Sequence, residues 1–355
     1  MPDRVHAAWV ALLGALTACV SEAPPSSDFE WAGEWIDIVG QDRLPIDTCA
    51  GTFEYLDSYA GVLAAEFGVS SHLGLYRWYS RERFEAEDPC GEPVGGCTGQ
   101  NGVFTHLMPL EHEVVHVVSN AVTLCPSVLT EGLAEYYGTT SEAPTGGDID
   151  ALIEASEHGA IPSSGYPLAG AFAAYLVQTH GLDEVLALCE LAGPYPNLEA
   201  FSQATSAALG VSLEQVLVDF ETFECGFDQY QSKLYECGLE PAVVVSDAPV
   251  EFEIHVDCAS ATTIGPRADE IWTLQLARVL EAGSYLVELV NEDGVAPTVE
   301  LRECAACVDT PHVHRFGGAG GPTVEPLQLN ARDYVVRASV EPRVAGDAKL
   351  RFTKI

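Results

Sequence analysis

The sequence predicts an α+β chain in which a mixed α/β part runs into a helical part and then into an all-β part. Three observations predict it. Apolar residues recur at three- and four-residue spacing in 52–67 and again through 168–223, as in amphipathic helices. Beyond residue 250 the apolar period falls to two, as in half-buried strands. Between these regimes, 238–249 carries Pro241 and Pro249 and reads as a linker. With 355 residues and 47% hydrophobic side chains, the chain can bury a core in each part.

The N-terminus comes first. Arg4 precedes the nearly apolar run Ala7–Ala18, which has the length of a leader's apolar region and is too short to span a bilayer. Leu16-Thr17-Ala18-Cys19 resembles a bacterial lipobox. That resemblance implies lipidation of Cys19, which becomes the mature N-terminus of an exported lipoprotein at the outer membrane or cell surface. An ordinary secretory leader with a chance cysteine is the alternative. Residues 1–19 are thus read as leader, 20–29 as a polar tether, 30–237 as the first domain, 238–249 as linker and 250–355 as the second domain.

Within the first domain, Trp35–Val39, Leu73–Tyr79 and Gly102–His106 read as strands and Thr52–Phe67 as a helix stopped by Gly68. Residues 109–225 read as helical, with helices over Leu168–Thr179, Leu182–Leu191 and Leu213–Phe223 and with Gly138, Gly181 and Gly210 where helices should end. In the second domain, Phe252, Ile254 and Val256 alternate with polar residues, as do Trp272, Leu274 and Leu276. Tyr285–Leu289, Val299–Leu301, Tyr334–Val336 and Leu350–Phe352 continue the pattern, with breaks at 291–294, 317–322 and 344–347. This predicts an antiparallel β-sandwich. The strand pattern resembles the pre-peptidase C-terminal domains of secreted bacterial peptidases.

Of 11 cysteines, setting Cys19 aside leaves an even number, which in an exported chain implies disulfides. The expected pairs are Cys90 with Cys97, Cys225 with Cys237, and Cys258 with Cys304 or Cys307. At least one bond is expected to cross between the two parts. Cys304-Ala-Ala-Cys307 is read as structural, since no thioredoxin-like βαβ pattern surrounds it.

The formal charge is −37, from 16 basic and 53 acidic side chains. This excludes an electrostatic nucleic-acid binder, which needs clusters of Lys and Arg. The acid is either a solubilising surface or a field favouring basic peptide or protein substrates.

The chemistry concentrates in His112-Glu113-Val114-Val115-His116. On a helix, residues four apart share a face and are separated by about 6 Å of rise. Both imidazoles can therefore reach one metal ion, with Glu113 beside its open position, which is the His-Glu-x-x-His zinc signature. Val114, Val115, Val117 and Val118 flank the polar trio, so packing rather than intrinsic propensity must hold this helix. Buried imidazoles and a carboxylate without partners would be costly, and a metal relieves that cost.

With Thr130-Glu131-Gly132-Leu133-Ala134-Glu135-Tyr136-Tyr137 added, the chain resembles the gluzincin metallopeptidases, the superfamily of thermolysin and the aminopeptidase-N and glycyl-aminopeptidase groups. The resemblance covers roughly residues 100–225. It implies a compact catalytic domain, one zinc ion per chain, Glu131 as third metal ligand and Glu135 as the carboxylate orienting the first histidine. It further implies that Tyr166, in Gly165-Tyr166-Pro167-Leu168-Ala169-Gly170, stabilises the oxyanion. Tyr175, His158 and His180 are weaker candidates for that role. Aminopeptidases of the superfamily carry an amine-binding Glu, but the corresponding stretch here, Thr98–Phe104, has none. The expected function is a zinc-dependent endopeptidase with Glu113 as general base. The alternatives are an inactive relic and a module in which the sandwich binds protein or glycan. His312 and His314 read as surface rather than as a second metal site.

Overall fold

The computed structural model describes residues 29–41, 48–91, 94–99, 102–138, 147–223, 235–267, 269–291, 295–304, 313–318 and 323–355. The chain is α+β. The first sheet is built from β1 (Phe29–Trp31), β2 (Ile36–Gly40), β3 (Gly74–Trp78), β4 (Gly96–Gly99) and β5 (Gly102–Thr105), in the order β1-β2-β3-β5-β4. Its central pairs β2–β3 and β3–β5 are parallel, and β4 returns antiparallel as an edge strand. The helix α1 (Thr52–Glu66) separates β2 from β3 and buries Leu56, Tyr59, Ala60 and Leu63, the face set by the helical spacing. The short α2 (Arg81–Glu87) starts at Ser80, whose hydroxyl accepts a hydrogen bond from the Arg83 amide.

Asp57, on α1, pins the chain entering β2. Its Oδ1 accepts from the Trp35 and Ile36 amides at 2.8 and 3.0 Å, and its Oδ2 accepts from the Glu34 amide at 3.0 Å. Asp57→Ala would leave three amides to find other acceptors. We expect a loss of about 3–5 kcal/mol, read as a lower denaturation midpoint. An unchanged midpoint would mean that water replaces the carboxylate fully.

The helical part comprises α3 (Glu111–Val122), α4 (Ser127–Gly138), α5 (Ile149–Ser156), α6 (Tyr166–His180), α7 (Leu182–Ala192), α8 (Leu198–Leu209) and α9 (Leu213–Glu221). Two glycines of α4 set the packing. A Cβ on Gly132 would meet Ala169 O at 2.5 Å, so Gly132 admits α6. A Cβ on Gly138 would meet His112 N at 2.7 Å, so Gly138 admits the start of α3. Gly181 and Gly210 follow the ends of α6 and α8, as expected.

The all-β part holds β6 (Pro241–Val245), β7 (Val250–Val256), β8 (Thr263–Arg267), β9 (Glu270–Val279), β10 (Gly283–Val290), β11 (Thr298–Glu303), β12 (Val313–Gly317), β13 (Val324–Leu329), β14 (Asp333–Val340) and β15 (Gly346–Lys354). One sheet runs β13-β10-β15-β7 and the other β12-β11-β14-β9-β6, with β8 paired to β9. Both contribute to one apolar core that includes Val256, Tyr285, Val287, Val299, Phe316 and Leu350.

Three expectations need correction. The stretch read as a linker contains β6, which joins the sheet parallel to β9, so the β part is not purely antiparallel. Pro241 is the first residue of an edge strand, where its missing N–H costs no ladder bond. The boundary between the two cores also shifts: Ile264 and Trp272, from β8 and β9, are buried in the first core and not in the sandwich core. Thr52 Oγ1 donates to Gly265 O and accepts from Gly265 N, both at 3.0 Å. Finally, the cysteine pairs differ. Cys90–Cys97 is as expected. Cys258 pairs with Cys49, Cys237 with Cys304, and Cys125 with Cys189. Two of these bonds cross between the parts, and Cys225 and Cys307 lie outside the described residues.

Candidate metal centre

Helix α3 carries the polar trio inward. His112, Glu113 and His116 are all buried, while Val114, Val115 and Val118 pack into the core on the remaining faces. The one-turn spacing stacks the two imidazoles edge to face, with centroids 4.7 Å apart. His112, Glu113 and His116 each offer a ligand atom within 4.8 Å of the others.

Helix α4 supplies two carboxylates to the same place. Glu131 Oε2 lies 3.2 Å from His112 Nε2 and 3.4 Å from His116 Nε2. Zinc bonds its ligands at about 2.0–2.2 Å, which makes the edge of a tetrahedral site about 3.3–3.5 Å. Both distances from Glu131 Oε2 to the imidazole nitrogens therefore match the edge of such a site. Glu135 Oε1 stands 3.3 Å from His112 Nδ1, the nitrogen facing away from that point. His116 Nδ1 is buried and has no hydrogen-bond partner among the described residues.

Proximity alone does not separate Glu113 from Glu131 as the third ligand, since both approach the imidazoles. Their partners do. Glu113 Oε2 accepts a hydrogen bond from Thr98 Oγ1 at 2.8 Å, which ties it to the edge strand β4. Glu131 Oε2 touches both imidazoles, and that geometry favours Glu131. Protonation follows the same contacts. Burial works against a charged His112, but hydrogen bonds with Glu131 and Glu135 outweigh it and raise the imidazole to about 10. Burial likewise works against ionised Glu131, but hydrogen bonds from His112 and His116 lower it to about 2. A divalent ion would balance the same buried carboxylate charge.

Tyr166, the first residue of α6, stacks on His112 with centroids 5.9 Å apart and 11° between planes. Gly132 makes this possible by admitting α6 against α4. His112, Glu113, His116, Glu131, Glu135 and Tyr166 all line one cavity of about 510 Å³. Tyr175, His158 and His180 are not among its lining residues. His314 lies on β12, and His312 and Cys19 lie outside the described residues.

Two lining residues were not anticipated. Thr98 sits inside the stretch that lacks the amine-binding Glu, and instead grips Glu113. Arg267 arrives from the end of β8. Its Nη1 donates at 2.6 Å to Glu111 Oε2, while Glu111 Oε1 accepts from Tyr55 Oη at 2.9 Å. Glu111 is the first residue of α3, so its charge also suits the positive end of the helix. No local pattern marks Arg267, which is 156 residues from its partner.

The four described disulfides fit an oxidising compartment. No helix among the described residues is long and apolar enough to cross a membrane.

No protein-family model matches the chain, and no curated protein does. Among solved structures, it is similar to a pre-peptidase C-terminal domain of a collagenase from Bacillus anthracis, at 12% identity and a TM-score of 0.20. That match covers 33% of this chain and 97% of the collagenase domain. A family 35 carbohydrate binding module from Clostridium thermocellum matches at 15% identity and a TM-score of 0.17, over 30% of this chain and 92% of the module. At these scores neither likeness carries a functional assignment, and the candidate metal cluster stands on its own geometry.

Proposed function

We propose that this chain is a zinc-dependent peptide hydrolase of the gluzincin type. One observation carries the reading. Glu131 Oε2 lies at the edge length of a tetrahedral metal site from each of two imidazole nitrogens, with a separately anchored carboxylate, Glu113, beside them in one cavity. A purely structural metal site has no use for that extra carboxylate. When bound, zinc acidifies a water and polarises the carbonyl under attack. Glu113 takes the water's proton and passes it to the departing amine, held in position by Thr98. Glu135 fixes the ring of His112 through Nδ1. The Tyr166 hydroxyl donates a hydrogen bond to the developing oxyanion and keeps its proton.

The substrate we propose is an extended peptide cut internally. A second cavity of about 610 Å³ shares Val94 and Gly95 with the first, which gives room for several residues of chain. The strand stretch Thr98–Phe104 offers no carboxylate to hold a free amine. The test is zinc content together with cleavage of an unstructured protein. One zinc per chain and internal fragments support the proposal. Full zinc with no cleavage across a varied peptide set sinks it, and faster release of single N-terminal residues overturns the endopeptidase part.

Tyr166→Phe is expected to lower kcat by about 10²–10³-fold with zinc content and KM little changed, the pattern for a donor used only in the transition state. An unchanged kcat would reduce Tyr166 to a packing residue. We further propose lipidation at Cys19, which mass spectrometry of the membrane fraction tests directly; an unmodified N-terminus beyond Cys19 refutes it.

A further inference from the structure

We propose that Arg267, delivered from the β part of the chain, is a substrate-binding residue that selects peptides carrying a carboxylate close to the cut bond. The inference takes from the hydrolase reading only that the ligand is a peptide. Arg267 is the single Lys or Arg lining the metal-centre cavity among the described residues. Its side chain is 27% exposed, while that of Glu111 is 8% exposed. A guanidinium presents five N–H donors in a rigid planar fork. Here one nitrogen, Nη1, is engaged by Glu111, and the structure gives Arg267 no other hydrogen-bond partner among the described residues.

Glu111 takes a single arm of the fork, Nη1 on Oε2, while its Oε1 accepts from Tyr55. The pair therefore fixes the guanidinium while leaving donors at the cavity wall. Such a group binds a carboxylate through charge-assisted, two-pronged hydrogen bonds, and its ordering cost is already met. The other ionisable groups lining the cavity are carboxylates, imidazoles and the Tyr166 phenol, which offer an anionic ligand no comparable fork. The pair is neutral as a unit and the chain carries −37 overall, so selection acts at contact distance and not by long-range steering.

A carboxylate comes from two sources, an acidic side chain or the free C-terminus of the peptide. The experiment uses the full zinc-loaded chain carrying Glu113→Gln, so that peptides bind without rapid turnover. Calorimetry compares two matched peptide pairs: Glu against Gln at positions flanking the bond, and a free C-terminal carboxylate against its carboxamide. Each pair is repeated with Arg267→Lys, which keeps a cation beside Glu111 but loses the fork, and with Glu111→Gln/Arg267→Gln, which removes both charges together. We expect the carboxylate member of one pair to bind at least about tenfold more tightly, and both Arg267 variants to reduce that ratio to within about threefold. The pair that responds identifies the source. Equal binding of carboxylate and amide peptides, or a preference that survives both variants, overturns the inference. Cleavage by the wild-type chain judges the hydrolase reading separately: activity without carboxylate preference sinks only this inference, and preference without activity sinks only that reading.

Discussion

Glu113→Gln is expected to slow peptide cleavage by about 10²–10⁴-fold while zinc stays at one per chain. The amide keeps the size of the carboxylate and can still meet Thr98 Oγ1, which holds the wild-type side chain at 2.8 Å. It has no basic oxygen with which to take a proton from water. Folding should be little affected, because the proposed ligands His112, His116 and Glu131 are untouched. His112→Ala should differ in kind, losing the metal and the part of stability that metal binding supplies. That part is about 2.7 kcal/mol when free zinc is at 100 times its Kd. The measurement is zinc stoichiometry, thermal midpoint and cleavage rate on the two variants beside wild type. If Glu113→Gln cleaves as fast as wild type, the activity belongs to another site.

The second large effect separates two carboxylates one turn apart on α4. Glu131→Gln should lower zinc affinity by more than about 100-fold, since it removes a proposed ligand atom, Oε2, lying 3.2 and 3.4 Å from the two imidazole nitrogens. Glu135→Gln should cost about 10–100-fold, the range for a carboxylate that only orients a ligating histidine. Competition against a chelator reads both. The opposite order would exchange the two roles.

His112 and His116 were legible in the sequence for a local reason, while Glu131 and Glu135 entered through the resemblance to gluzincins. His112 and His116 are one helical turn apart, and Glu131 and Glu135 are one turn apart on the next helix. Periodicity alone places each pair on one face. Thr98 and Arg267 were not legible, because their positions depend on a sheet edge and a distant hairpin, with no local period to reveal them. The cysteines divide in the same way. Cys90–Cys97, with a separation of 7, follows from a short loop. Cys49–Cys258, with a separation of 209, depends on how β8 meets the start of α1. The prolines around 241–249 misled for a different reason: a proline breaks a central strand but is tolerated at the first position of an edge strand such as β6.

The attachment of β8 to the start of α1 also bears on when the part holding the candidate metal cluster can mature. Ile264 and Trp272 complete its core, and Arg267 completes its cavity wall, yet all three are synthesised long after His112 and His116. At about 5–20 residues per second, the 209 positions from Cys49 to Cys258 take roughly 10–40 s to make. Such distant closures also slow folding itself. A nascent or half-translocated chain thus carries both histidines and Glu131 but lacks the hairpin that finishes their surroundings. The cavity wall is incomplete until about three quarters of the 355 residues have been made, so the order of synthesis acts as a timer on the proposed hydrolase.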